Sequence, residues 1–486
     1  MNIVRRIIGT VLIVTAGAGV IAIDRQGGAT QDGAASALVT LGGFPQAVAG
    51  SRISTSWFCP GAAAGDGLDA ATVVISNPSD VAITASLSLF SDTAAATQNI
   101  SVPPRDRLSV DVLRGRTVGV VVPAVEIIGG VGTVEQQLVY AAGDVTSQCV
   151  SQTSNTWYFA DGFTAEGSSQ RIVLTNPYPE SAVVNVTYTT AEGRRTPANL
   201  QGVILSAQSA KSLSMSDVGA ANESQIAVEV IATTGQIIAS RMQHYIGGGR
   251  LGYSTTVGTP EPLKDWWFAA GRTGSQVTEQ LVVFNPSEID AQLNVAFFGE
   301  GITNGVIAET STAALPSEAV TIPAGGIVYI NTDNIADLPK GDHAMVVSTL
   351  NNSRVVVEHV LSQRTGGSSF TAVTNGIPSG LVATKWRIPS GLAQGARHAL
   401  SILNTTAVDG TFTVSAIGPG GLLDLPNLVN VPIAAASLIS LDVPEGLNEG
   451  EVVITSTVSV AVQRRTTRGH GLVGFGIVGA LPVRGK

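Results

Sequence analysis

Few side chains in this sequence are of a type that does chemistry, and their spacing limits what they can do. The only two cysteines are Cys59 and Cys149. In an exported chain, such a pair is most simply one disulfide. It would close a loop of about 90 residues, which the chain-entropy view values at roughly 4–5 kcal/mol. No histidine recurs beside either cysteine, which argues against a catalytic thiol. Gly247-Gly248-Gly249-Arg250-Leu251-Gly252 and Gly469-His470-Gly471-Leu472-Val473-Gly474 both match the dinucleotide fingerprint. That fingerprint has meaning only between a strand and a helix, with an acid about 20 residues on. Both matches precede a closing aromatic strand of an internal repeat, so they read as glycine-rich hairpin loops. His244, His343, His359, His398 and His470 form neither HExxH nor a pair at ligand spacing. No GxSxG elbow occurs. Asp66 and Asp69 lie near Gly65 and Gly67 and could touch a calcium ion, but the EF-hand pattern is absent and a solvated loop is the plainer reading. Glu126, Glu135, Glu229 and Glu358 fall one by one in separate strands, not as the converging pair that acid–base catalysis requires. The expectation is no catalytic residue, no cofactor and no metal: not an enzyme.

Composition narrows the class further. Of 486 residues only 13% are charged, against about 25% in an ordinary soluble protein. The net charge of -9 and a pI near 5.1 leave no basic stripe for phosphates, so nucleic acid is not a partner. With 44% hydrophobic residues the chain can bury a core.

What must position these residues is a unit repeated four times. Its openings are Trp57-Phe58-Cys59-Pro60-Gly61, Trp157-Tyr158-Phe159-Ala160-Asp161-Gly162, Trp266-Trp267-Phe268-Ala269-Ala270-Gly271 and Trp386-Arg387-Ile388-Pro389-Ser390-Gly391. Each is followed by an apolar run ending in asparagine: Asn77, Asn176, Asn285 and Asn404. Pro follows the first three and ends a strand, while the asparagine side chain can cap the turn. Thr405 stands in place of Pro in the fourth copy and puts its turn in question. After each asparagine the apolar residues alternate, as in Ile83, Ala85, Leu87 and Leu89. Period two buries one strand face and leaves the other to polar residues. No segment has helical periodicity. The fold class expected is all-β: tandem antiparallel β-sandwich (immunoglobulin-like) modules after one N-terminal membrane helix. Trp57, Trp157, Trp266 and Trp386 read as core anchors, with stacking on sugar rings as the other reading.

Arg5 and Arg6 precede an uncharged apolar run, residues 7–23, that suits either an uncleaved membrane anchor with a cytoplasmic N-terminus or a removed signal. The organisation expected is an anchor or signal over 1–23, a flexible tether over 24–50, and modules over 51–150, 151–260, 261–380 and 381–486. Short linkers suggest four modules end to end, a rod on the order of 100 Å.

The Trp openings, the strand ending in Asn-Pro, the alternation after it and the first-module Cys-Pro resemble a family of secreted or membrane-anchored actinobacterial proteins known as domain of unknown function 5719. The resemblance covers about residues 50–486. It implies a Gram-positive envelope location and β-sandwich modules, and carries over no catalytic residue. Cys149 fits that pattern as the partner of Cys59. The function expected is a non-enzymatic, membrane-tethered extracellular protein acting in surface adhesion, scaffolding or envelope organisation. The alternative is a carbohydrate-binding accessory protein for wall or capsule polysaccharide assembly. Its partners would be an envelope polysaccharide or a surface protein, and the membrane through residues 7–23.

Overall fold

A computed structural model describes residues 41–484, apart from 49, 51–52, 66, 94, 130, 142, 304–305, 308–319, 336–337, 366–367, 392–395, 444–449 and 469–473. The apolar run 7–23 lies outside the described residues. Among those described, no helix is long and apolar enough to cross a membrane.

The described chain is mostly strand, and its sheets are antiparallel apart from one short parallel pair. Each module stacks two sheets. In the first sheet a tryptophan strand pairs with a long strand: Trp57 lies opposite Val125, Trp157 opposite Val230, Trp266 opposite Val347 and Trp386 opposite Ile454. The strand after the asparagine turn completes this sheet. In module 1 it is Ile83–Phe90, whose Ile83, Ala85, Leu87 and Leu89 are buried as the alternation requires. In the second sheet an asparagine strand sits beside the strand that follows the long one: Ile75 opposite Val134, Leu174 opposite Ala239, Val283 opposite Val357 and Ile402 opposite Val462. In module 4 one strand, Val452–Arg468, runs through both sheets, so the two runs that the sequence suggests are continuous there.

The last strand of each second sheet decides the assembly. These four axial strands are Gly143–Gln148, Gly252–Val257, Ser368–Asn375 and Gly476–Gly479. The first packs on the second, the second on the third, the third on the fourth and the fourth on the first. The modules therefore close into a ring, and the expected end-to-end rod is incorrect. The reason lies in the side chains. Ser147, Ser254, Thr255 and Thr371 are buried, and such small uncharged groups let four strands crowd around one axis. Hydrogen bonds then cross the axis: Ser147 Oγ donates to the Thr255 carbonyl, Asn375 Nδ2 to that of Val257, and Gln148 Nε2 to those of Gly479 and Ala480. Some of the small uncharged residues thus belong to joints as well as to solvent faces.

A second correction concerns the tether. Residues 24–40 lie outside the described residues, but Leu41, Gly42, Gly43, Phe44 and Ala47 are buried. Ala47–Val48 pairs in parallel with Val483 and Arg484 of the C-terminal strand. The end of the expected tether is therefore a docked part of the fold; at eight residues it is too short to show a period.

Candidate functional site

The two cysteines form a disulfide with Cα atoms 4.2 Å apart. It joins the end of the tryptophan strand to the residue after the axial strand. The same two positions hold Phe159 and Gly258 in module 2, Phe268 and Gly376 in module 3, and Ile388 and Ala480 in module 4. In modules 2 and 3 the phenylalanine ring fills the space above the glycine. A Cβ on Gly258 would lie 2.8 Å from Phe159 Cζ, and one on Gly376 would lie 2.7 Å from Phe268 Cζ. The disulfide replaces a large-over-small contact by a covalent one.

The four repeated tryptophans are fully buried. The indole nitrogens of Trp157, Trp266 and Trp386 donate to the carbonyls of Ile237, Val355 and Ala383. Their rings are core, so none can stack on a sugar. The four asparagines are buried as well. Asn77 Nδ2 donates to the Val81 and Pro103 carbonyls at 2.8 and 2.9 Å, while its Oδ1 accepts the Ser79 N–H at 3.0 Å. Asn176, Asn285 and Asn404 repeat the pattern. Each therefore shapes its turn and ties its own sheet to the end of an edge segment in the other. Asn404 does so without a following proline, so the fourth turn is retained.

The residues that sequence reasoning undervalued are two adjacent polar positions on the strand before each axial strand: Glu135-Gln136, Ser240-Arg241, Glu358-His359 and Gln463-Arg464. All eight are buried. The first of each pair reaches backbone three or four residues beyond the repeated tryptophan of the preceding module. Ser240 Oγ donates to the Pro60 carbonyl at 2.6 Å. Glu358 accepts the Asp161 N–H at 2.8 Å. Gln463 accepts the N–H groups of Ala269 and Ala270 at 2.7 and 3.0 Å. Glu135 accepts the Ser390 N–H at 3.3 Å, so module 1 grips module 4. In three modules the second residue holds its own loop: Gln136 on Gly61, Arg241 on Asp161, and Arg464 on Ser390 and Gly391. Two of the four joints add a buried ion pair, Arg241–Glu358 at 2.6 Å and Arg464–Glu135 at 2.7 Å. The joint of modules 3 and 4 adds a partly exposed ion pair, Arg465–Asp342. The signal was present in sequence as a polar pair inside an apolar run, such as Val134-Glu135-Gln136 and Val462-Gln463-Arg464.

Module 3 departs from the pattern. His359 donates or accepts at Glu279 Oε1 (2.7 Å), and His343 Nε2 stands 2.8 Å from Glu279 Oε2, all three buried. Burial alone would raise the Glu279 carboxyl, but the two imidazoles outweigh it and hold it well below the usual range. The structure thus joins two histidines and a glutamate that the sequence scatters. Among the described residues no group of three or more His, Cys, Asp or Glu is arranged to hold a metal ion.

The glycine-rich loop 247–252 is a hairpin loop, as expected. It delivers Arg250 against the rings of Phe163, Tyr245 and Tyr329, with Asp161 at 2.8 Å. Burial would raise the Asp161 carboxyl, but Arg250 and Arg241 outweigh it and hold it ionised. Of the second fingerprint match only Gly474 is described; Asp66 also lies outside the described residues. Glu229 pairs with Arg194 at 2.5 Å. Glu126 is exposed. The ring axis encloses a cavity of about 70 Å³, small beside the 300–1,000 Å³ or so of ligand pockets.

These features define a class: an all-β chain of four sandwich modules closed by buried polar joints. Residues 130–251 and 248–484 match the family described as "Family of unknown function (DUF5719)", and the chain belongs to that family. No curated protein matches the chain. Among solved structures, "Crystal Structure of Thermotoga maritima 1070" is 16% identical, with 23% of this chain and 97% of that one covered at a TM-score of 0.20. "Biofilm associated protein - BSP domain" is 7% identical over 90% and 98% at 0.14. Trypsin-activated alpha-2-macroglobulin from Escherichia coli is 10% identical over 89% and 42% at 0.12. Scores this low carry no argument about fold or function.

Proposed function

We propose that this is a non-enzymatic surface protein of a Gram-positive, actinobacterial envelope, exported and held by residues 7–23 or released if that segment is cleaved. Its immunoglobulin-like sandwiches form a rigid ring that serves adhesion, scaffolding or envelope organisation. One observation carries the reading: four of the buried charged groups described above are spent on holding modules to one another. Glu135, Arg464, Arg241 and Glu358 are committed to joints, not aimed at a cleft. The disulfide agrees with an oxidising compartment. A glycan ligand would have to be held by side chains other than the repeated tryptophans, which are buried.

Protease treatment of intact cells of the host tests the location. Loss of the chain without lysis, with Cys59 and Cys149 unreactive to thiol reagents until reduced, is the expected result. Survival until the cells are broken would contradict it. Incubation of the ring with purified wall and envelope glycans tests the second role: saturable pull-down would favour carbohydrate binding, and none would leave scaffolding.

A further inference from the structure

The segment Leu41–Val48 (Leu-Gly-Gly-Phe-Pro-Gln-Ala-Val) sits on one mouth of the ring axis in the manner of a bound peptide. It meets a different part of the ring at almost every residue. Leu41 lies over Gly380, where a Cβ would come within 2.5 Å of its Cδ1. Gly42 lies against the end of the Gln152 side chain, which a Cβ would displace. Gly43 faces Pro260, where a Cβ would be 3.0 Å from the proline ring. Phe44 stands edge-on to Trp266, with ring centroids 6.0 Å apart. Phe44 and Pro45 cap the axial cavity, which Trp386 also lines. Ala47–Val48 then adds a strand to the edge at Val483 and Arg484, the only parallel pairing among the described strands. Leu41 and Phe44 join the core of modules 3 and 4, and Ala47 that of module 1.

The segment thus uses both parts of strand-addition recognition: main-chain pairing for affinity, and shaped pockets for specificity. We infer that this mouth is a peptide-binding site for an extended apolar peptide of the Gly-Gly-aromatic-Pro kind, and that residues 41–48 are its resident ligand. The two glycines pass close against Gln152 and Pro260, and Phe44-Pro45 is the anchor. The resident segment is a built-in competitor. Tethered at an effective concentration of about millimolar, it keeps the site shut to weaker peptides of the same class.

The test uses the full chain with a protease site inserted between Val48 and Ser54. After cleavage, the N-terminal fragment is expected to stay with the ring on size exclusion at micromolar concentration. A synthetic peptide spanning residues 39–50 should displace it, and the same peptide with Phe44→Ala should need at least about tenfold more. In parallel, a fluorescent 39–50 peptide is titrated into the uncut chain and into the Leu41→Ala, Phe44→Ala chain. Saturable binding at least about tenfold tighter to the variant is expected, because its own segment no longer competes. Immediate loss of the fragment after cleavage, or equal displacement by the Phe44→Ala peptide, would overturn the site. The cleavage arm involves no core substitution, so a misfolded double variant leaves it decisive.

Discussion

The slot shared by Cys59–Cys149, Phe159/Gly258, Phe268/Gly376 and Ile388/Ala480 predicts that its occupants are exchangeable as pairs and not singly. The perturbation is Cys59→Phe with Cys149→Gly, set against Cys59→Ala with Cys149→Ala. Removing the bridge frees a loop spanning 90 residues, a loss of about 4–5 kcal/mol in chain-entropy terms. A phenylalanine filling the slot restores packing on the scale of a buried Phe, about 3–5 kcal/mol relative to alanine, of which imperfect fit forfeits part. The Phe/Gly chain should therefore recover roughly 2–3 kcal/mol of the alanine pair's loss. Cys59→Phe with Cys149→Ala should recover less, because in the equivalent modules a Cβ would stand 2.7–2.8 Å from the ring; overpacking of that kind costs about 1–3 kcal/mol. The converse exchange, Phe159→Cys with Gly258→Cys, should form a second disulfide on oxidation. The assay is urea unfolding of each oxidised chain, with thiol titration. A Phe/Gly chain no more stable than the alanine pair, or a module 2 cysteine pair that stays reduced, would refute the shared slot.

Other consequences follow from the joints and the turns. Glu358→Ala leaves Arg241 buried and unpaired and should cost about 3–5 kcal/mol, whereas Glu358→Leu with Arg241→Met should cost far less; a double-mutant cycle by urea unfolding measures both. Asn285→Ala and Asn285→Asp should each destabilise by about 1–3 kcal/mol, since neither can donate to the Ile289 and Pro323 carbonyls, and Asn285→Ser should not rescue because it is too short to span them. Because Glu279 is held below its unfolded pKa of about 4.3, its stabilisation is present above that pH and fades as pH falls toward the folded value. The gap in melting temperature between the native chain and Glu279→Gln should thus be widest above about pH 5 and shrink below about pH 4; a gap independent of pH would count against the cluster.

The module was legible because its signals are local. A tryptophan in an apolar strand, an asparagine that ends the next one and period-two alternation all act within a dozen residues. Asn404 kept its turn although Thr405 replaces the proline, because the side-chain amide, and not the ring, makes the bonds. The ring was not legible. Glu135 and Arg464 are 329 residues apart, and nothing local marks them as partners. The axial strands, rich in serine, threonine and glycine, look like solvent faces, yet small uncharged groups are also what close packing around an axis needs. His343 and His359 lie on different sheets of module 3, and Glu279 bonds to one and stands 2.8 Å from the other. The glycines of segment 41–48 look like a sign of flexibility, yet here they mark close approach.

Closure of the ring is the claim on which the joints, the axis and the docked segment all depend. Small-angle scattering from the chain freed of its apolar N-terminus tests it most directly. A compact closed ring of this length predicts a radius of gyration of about 22–25 Å. Modules laid end to end over on the order of 100 Å would give about 30 Å or more, with an elongated distance distribution, and that result would contradict the closure of module 4 on module 1.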